Sequence, residues 1–184
     1  MFFFQLRAKS LNENEYLKLY LEVSRFFPDV RIIVNDFWEI GIKESSFGIH
    51  IGKEDYIRLS DSEKRVLKEN KSILKGTSSH NLEDILSLDT EIWDYTGFGP
   101  MFKTETKKSH YPTLGIEELK KALFKTRIPL VPIGGIDLSN FFIVYEVGNI
   151  LPASIGMLSN EKSLVKIVDF IRNSHHPVRE SKPV

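Results

Sequence analysis

The sequence predicts an α/β chain folded as a TIM (β/α)8-type barrel, with seven strands read where a closed barrel has eight. Three observations predict it. Short apolar runs alternate with helical patterns along the whole length of 184 residues. Helix starts carry capping residues where the patterns begin. Polar or glycine residues follow the end of every apolar run. Serial βα units of this kind build a parallel sheet with helices outside it, and in a barrel function gathers at the C-terminal ends of the strands.

The runs in order are Phe2–Leu6, Val30–Val34, Phe47–Ile51, Ser72–Lys75, Ile92–Phe98, Pro129–Ile133 and Asn149–Ala153. Helical patterns fall between and after them at Glu13–Phe27, Phe37–Glu44, Asp61–Asn70, Leu82–Leu88, Ile116–Lys125, Leu138–Val147 and Glu161–Arg172. Asn12, Ser60, Asn81 and Asn160 stand where N-caps are needed. One domain over 1–172 is expected, followed by a flexible polar tail over 173–184. Seven strands leave two bare edges, an aggregation hazard unless covered. Either a partner or second copy covers them, or residues upstream of Met1 belong to the same protein.

Lys+Arg and Asp+Glu both number 25, so the net charge is zero and no global field points to nucleic acid or membrane. Cysteine is absent, which excludes disulfides and thiolate metal sites. The apolar start "MFFFQLRAKS" is too short for a signal peptide or a membrane span. A cytoplasmic location is the simplest expectation.

Anion recognition must then be local. In "QLRAK" the side-chain period of a strand puts Gln5, Arg7 and Lys9 on one face, where they suit a polyphosphate or are simply solvated charges. Asp36 in "VND" and Asp55 in "GKED" are two carboxylates just beyond successive strands, the donor type that holds Mg²⁺, or else helix caps. In "GTSSHN" Ser78 or Ser79 can donate to a ligand and His80 can shuttle a proton, while helix capping is the plainer role. His50 reads as a hydrogen-bonded core residue; His110, His175 and His176 receive no role. "PIGGI" runs a buried strand into Gly134–Gly135 and then a helix, a phosphate-approach geometry that Ser154 would complete. In "GFGPMFKTETKK" two glycines and a proline end a strand, and Thr104, Thr106 and Lys107 follow on a loop able to grip a second anion.

Taken together, "QLRAK", "VND", "GIHIGKED", "GTSSHN", "GFGPMFKTETKK", "TLG" and "PIGGI" resemble, in order and spacing, the motifs of the thiamine-phosphate synthase (thiamine-phosphate pyrophosphorylase) family of TIM barrels. The resemblance runs from Phe4 to Ser154 and implies that the absent unit is the first βα unit. It implies a Mg²⁺-dependent transferase that condenses 4-amino-2-methyl-5-hydroxymethylpyrimidine pyrophosphate with a thiazole phosphate, giving thiamine phosphate and pyrophosphate. It implies that Gln5, Arg7, Lys9, Asn35, Ser78 and Lys107 bind the pyrimidine pyrophosphate, with Arg7, Lys9, Ser78 and Lys107 catalytic. Asp36 and Asp55 would hold Mg²⁺, and Thr104, Thr106, Gly135 and Ser154 the thiazole phosphate. Lys53, Lys103 and Phe37 depart from the family's usual Gln, Pro and Arg. Two alternatives accompany this expectation: a thiazole tautomerase-like isomerase working through His80, and an inactive relative that binds a thiamine precursor.

Overall fold

The computed structural model describes residues 3–104, 110–148, 150 and 152–173. Its elements are β1 (Phe3–Leu6), α1 (Glu13–Phe26), β2 (Arg31–Asn35), α2 (Trp38–Lys43), β3 (Gly48–Ile51), α3 (Lys53–Arg58) and α4 (Asp61–Glu69). They continue with β4 (Leu74–Ser79), α5 (Leu82–Leu86), β5 (Tyr95–Phe98), α6 (Gly115–Lys125), β6 (Leu130–Pro132), α7 (Phe141–Glu146) and α8 (Glu161–Asn173). The six strands neighbour one another in sequence order. β1 to β4 pair in parallel, with Gln5 opposite Ile33 and His50 opposite Gly76.

The chain divides into two compact units. The first is built on Leu6, Tyr16, Ile32, Val34, Ile49, Ile51 and Leu67. Its strands read as near-continuous apolar runs because parallel strands are covered on both faces. The second unit packs Phe98, Met101, Leu119, Ala122, Phe141, Val144 and Ile167. There the Phe170 ring meets Phe142 and Tyr145 edge-on, with centroids 4.8 and 5.3 Å away.

All four expected caps form. The side chains of Asn12, Ser60, Asn81 and Asn160 accept from the N–H groups of Glu15, Glu63, Asp84 and Ser163. Asn12 and Ser60 complete reciprocal capping boxes with Glu15 and Glu63.

Several elements differ from expectation, among them α7, which starts at Phe141 rather than Leu138. The fourth strand runs to Ser79 rather than stopping at Lys75, because its polar end is buried with its hydrogen bonds made. The Thr96 hydroxyl donates to Thr77 O at 3.3 Å, and Gly99 N–H donates to Ser79 O at 3.2 Å. Gly76 lets that strand lie against the Tyr95 ring, which a Cβ would strike. The fifth strand begins only at Tyr95. Ile92 and Trp93 are apolar and buried, but their N–H groups both turn back to Asp89 O, at 3.1 and 3.0 Å. Helix α3 was not expected; it starts from Gly52 with Glu54 and Asp55 in its first turn, which the helix dipole favours. Of the last expected strand, the described residues show one parallel bridge, Ile133 to Ala153. Asn173 ends α8, and the remainder of the expected tail lies outside the described residues.

Candidate active site

Within the first unit the C-terminal ends of β1, β2 and β3 bring four expected residues together. β1 ends at Leu6, so Arg7 and Lys9 stand just beyond the strand rather than in it. Both still turn to one carboxylate. Arg7 Nη1 lies 3.8 Å and Lys9 Nζ 3.4 Å from Asp36 Oδ2, and Lys9 Nζ is also 3.7 Å from Asp55 Oδ2. Lys9 thus sits between the two carboxylates, while Arg58 approaches Asp55 Oδ1 at 3.6 Å.

Asp36 is no helix cap. Its φ is 69°, and the cap of α2 is Phe37, without any side-chain bond. Among the described residues, Asp36 Oδ2 is buried with no hydrogen-bond partner, as is Nδ2 of the neighbouring Asn35. A buried carboxylate oxygen that makes no hydrogen bond and meets Lys9 and Arg7 only as ion pairs, beside a second carboxylate, fits a hard divalent cation. Mg²⁺ usually takes one or two carboxylates from protein and completes its shell with water and substrate phosphate. Asp36 and Asp55 are the residues that would hold it.

The same unit contains a hydrogen-bonded chain centred on His50, which is the buried, hydrogen-bonded core residue the sequence suggests, with partners the sequence does not name. His50 in β3 places Nε2 2.9 Å from Ser78 Oγ and Nδ1 3.1 Å from the Tyr95 hydroxyl. The Gln5 side chain lies near the Tyr95 hydroxyl and opposes part of the effect of burial on it. Burial drives the Tyr95 phenol well above its ordinary pKa, so it stays protonated. Ser78, expected at the pyrimidine end, is therefore held through two residues outside the expected site set, and Gln5 lies near the second of them. The only sequence signal for either was a polar ring inside an apolar run. Another group missed was Tyr16 on α1, fully buried, whose hydroxyl reaches the ends of both β1 and β2.

A cavity of about 870 Å³ lies elsewhere in this unit, lined by Ser46, Lys68, Ile73, Lys75, Glu91 and Asp94 among others, and holds none of the expected residues. The Lys75 ammonium beside it donates to Asn70 O at 2.5 Å and lies 3.9 Å from Asp94. Desolvation lowers the Lys75 pKa, and the Asp94 charge opposes that shift.

In the second unit Gly134 and Gly135 have φ of 96° and 68°. A Cβ at Gly135 would lie 2.6 Å from both Phe102 O and Lys103 O, so the glycine pair also permits a close backbone approach. Asn140 Nδ2 holds Gly135 O at 3.0 Å. The Ser154 hydroxyl donates to Ile136 O at 2.6 Å and accepts from Met157 N–H at 3.3 Å, so it braces the turn after the glycines. Thr104 is half-buried; Thr106 and Lys107 lie outside the described residues. His80 donates Nδ1–H to Gly99 O at 2.7 Å, since a carbonyl can only accept, and stacks on Tyr111 at 3.8 Å between centroids. Its Nε2 is therefore the basic nitrogen.

Comparisons with known proteins bear on the family and the fold. A family model described as thiamine monophosphate synthase matches residues 1–153. The thiamine-phosphate synthase of Dictyoglomus turgidum is 34% identical over 146 residues, covering 79% of this chain and 62% of the relative. That of Koribacter versatilis is 32% identical over 145 residues, covering 78% and 67%. The chain thus spans about two thirds of the length of these curated relatives. Among solved structures, a thiamine phosphate pyrophosphorylase from Pyrococcus furiosus superposes with a TM-score of 0.71 at 24% identity, covering 91% of this chain and 79% of that one. A 3-hexulose-6-phosphate synthase superposes with a TM-score of 0.62 at 15% identity, covering 91% and 84%. These likenesses give the fold, an α/β chain of the TIM-barrel type, with six strands among the described residues. With its motifs, its fold and a family model spanning residues 1–153, the chain belongs to the thiamine monophosphate synthase family.

Proposed function

We propose that this chain is itself a thiamine-phosphate synthase. It joins 4-amino-2-methyl-5-hydroxymethylpyrimidine pyrophosphate to a thiazole phosphate and releases pyrophosphate, with Mg²⁺. The observation that carries the reading is the convergence of Arg7 and Lys9 on Asp36, with Lys9 shared by Asp55. Two cations beside two carboxylates suit a group that brings phosphate charge and a metal together.

In this reading the C–O bond to pyrophosphate breaks with its electron pair leaving on oxygen. The pyrimidine ring delocalises the positive charge, and the thiazole nitrogen lone pair forms the new C–N bond. Such a step needs leaving-group stabilisation and positioning more than a strong base. Arg7 and Lys9 neutralise the leaving group, and Lys107 joins them by resemblance. Ser78, held through His50 and Tyr95, and Gln5 near that tyrosine orient the pyrimidine, with Asn35 at the end of β2. Bound Mg²⁺ would supply further charge neutralisation for the pyrophosphate, held by Asp36 and Asp55. The left-handed turn at Gly134–Gly135, braced by Ser154, offers backbone N–H groups to the thiazole phosphate, aided by Thr104 and Thr106.

The same reading includes a cytoplasmic location and a second copy of the chain against β1, the terminal strand of the sheet order. Among the described residues no helix is long and apolar enough to cross a membrane. A tautomerase-type reading has one observation in its favour, the fixed tautomer of His80 with a basic Nε2.

The test mixes purified protein with both substrates and Mg²⁺ and looks for thiamine phosphate by mass spectrometry. Product that disappears with EDTA is expected. Folded protein that makes none overturns the reading. Tautomerisation that survives EDTA and is lost in His80→Ala would replace it with the second.

A further inference from the structure

We propose that the Tyr16 hydroxyl positions the Asp36 carboxylate, by tying the end of β1 to the end of β2 and so holding the strained turn that presents Asp36 to a divalent cation. This rests on the reading of Asp36 and Asp55 as the metal-holding pair.

The turn is unusual in its geometry. Phe37 N–H donates to Asn35 O at 2.9 Å, which closes a three-residue turn around Asp36 at φ 69°. A turn of this kind with positive central φ is rare and strained for a residue bearing a Cβ. It persists only where surrounding contacts over-determine it. Three such contacts are present. Asp36 N–H donates to His50 O at 3.0 Å, and Trp38 N–H donates to Asp36 O at 3.0 Å. The third comes from a side chain: Tyr16 Oη accepts Asn35 N–H at 3.2 Å and donates to Leu6 O at 2.7 Å.

That hydroxyl sits directly before the functional residues on both strands. Asn35 precedes Asp36, and Leu6 precedes Arg7, whose guanidinium faces Asp36 at 3.8 Å. The Tyr16 ring packs on Phe37, the residue after Asp36, with centroids 4.3 Å apart. Tyr16 is fully buried, so it does not meet substrate itself. Burial also pushes its pKa up to about 12, so the phenol keeps its proton and remains a donor across the working range. Asp36 Oδ2, held this way, makes no hydrogen bond among the described residues. With its backbone fixed in this way, the carboxylate meets Lys9 and Arg7 only as ion pairs at 3.4 and 3.8 Å, contacts a divalent cation would replace.

The test titrates the full chain with Mn²⁺ alone and follows loss of the free-ion EPR signal. Four proteins are compared: wild type, Tyr16→Phe, Asp36→Asn and Tyr20→Phe. The last removes the same atom one helical turn further on, from another buried tyrosine. Groups that orient metal ligands typically cost ~10–100-fold in metal affinity when removed. Tyr16→Phe is therefore expected to bind Mn²⁺ at least about tenfold more weakly. Tyr20→Phe should match wild type, and Asp36→Asn should lose most binding. Mn²⁺ affinity unchanged in Tyr16→Phe but lost in Asp36→Asn overturns the positioning role and leaves the metal reading standing. Unchanged affinity in Asp36→Asn overturns both. If Tyr16→Phe does not fold, amide exchange of the wild type decides. Slow exchange at Asn35, whose N–H bonds the tyrosine hydroxyl, is expected; exchange as fast as in an exposed loop overturns the proposal.

Discussion

Lys9→Met separates ligand binding from folding at the shared ion pair. The substitution keeps most of the aliphatic stem and removes the ammonium between Asp36 and Asp55. At 3.4 and 3.7 Å the two pairs together have a gross attraction of about 2 kcal/mol at the dielectric of water. Lys9 is 51% exposed, however, so screening and side-chain entropy reduce this to roughly 0.2–1 kcal/mol per pair. For a chain of this size the upper end of that range is a fall in Tm of about 4–8 °C. The pyrophosphate side is affected more. A hydrogen bond to a charged group contributes about 1.5–3 kcal/mol, which is roughly ten- to a hundredfold in affinity. Calorimetry with inorganic pyrophosphate and Mg²⁺ should therefore show a ten- to hundredfold weaker Kd at nearly native Tm. Native pyrophosphate affinity with a Tm loss beyond about 10 °C would show Lys9 to be structural and refute the reasoning.

Other perturbations have equally definite outcomes. Gly135→Ala places a Cβ 2.6 Å from two carbonyl oxygens at φ 68°. Strain and overpacking of about 2–4 kcal/mol should lower Tm by roughly 5–15 °C in calorimetry. Lys107→Ala should cut turnover by orders of magnitude while Tm stays near native; a large Tm loss instead would make Lys107 structural. Tyr16 has a folded pKa of about 12, above the ordinary 10.0, so its contribution is complete below pH 10 and fades as pH rises through 12. Urea midpoints should accordingly fall between pH 10 and 12, less steeply in Tyr16→Phe, and absorbance at 295 nm should show tyrosines ionising late.

Short-range signals in the sequence were enough for much of this. Caps at Asn12, Ser60, Asn81 and Asn160 depend on a residue three positions away, so they are readable without a fold. The apolar runs "RIIV" and "GIHI" announce strands covered on both faces. Arg7, Lys9, Asp36 and Asp55 were nameable because each follows such a run or its strand end.

Other features depended on partners far along the chain. The fourth strand continues through Thr77 and Ser79 because Thr96 and Gly99, from β5 and just beyond it, satisfy its polar groups; composition alone reads that stretch as a loop. His50 finds Ser78 and Tyr95 from 28 and 45 positions away, and Tyr16 finds Leu6 and Asn35 from 10 and 19. The sequence by itself determined which residues carry charge to the strand ends, since periodicity and chemistry are local properties. Only the tertiary structure decided how they are held there. The left-handed turn at Asp36 and the hydroxyl that pins it arise from packing, and packing is set by residues brought together across the fold.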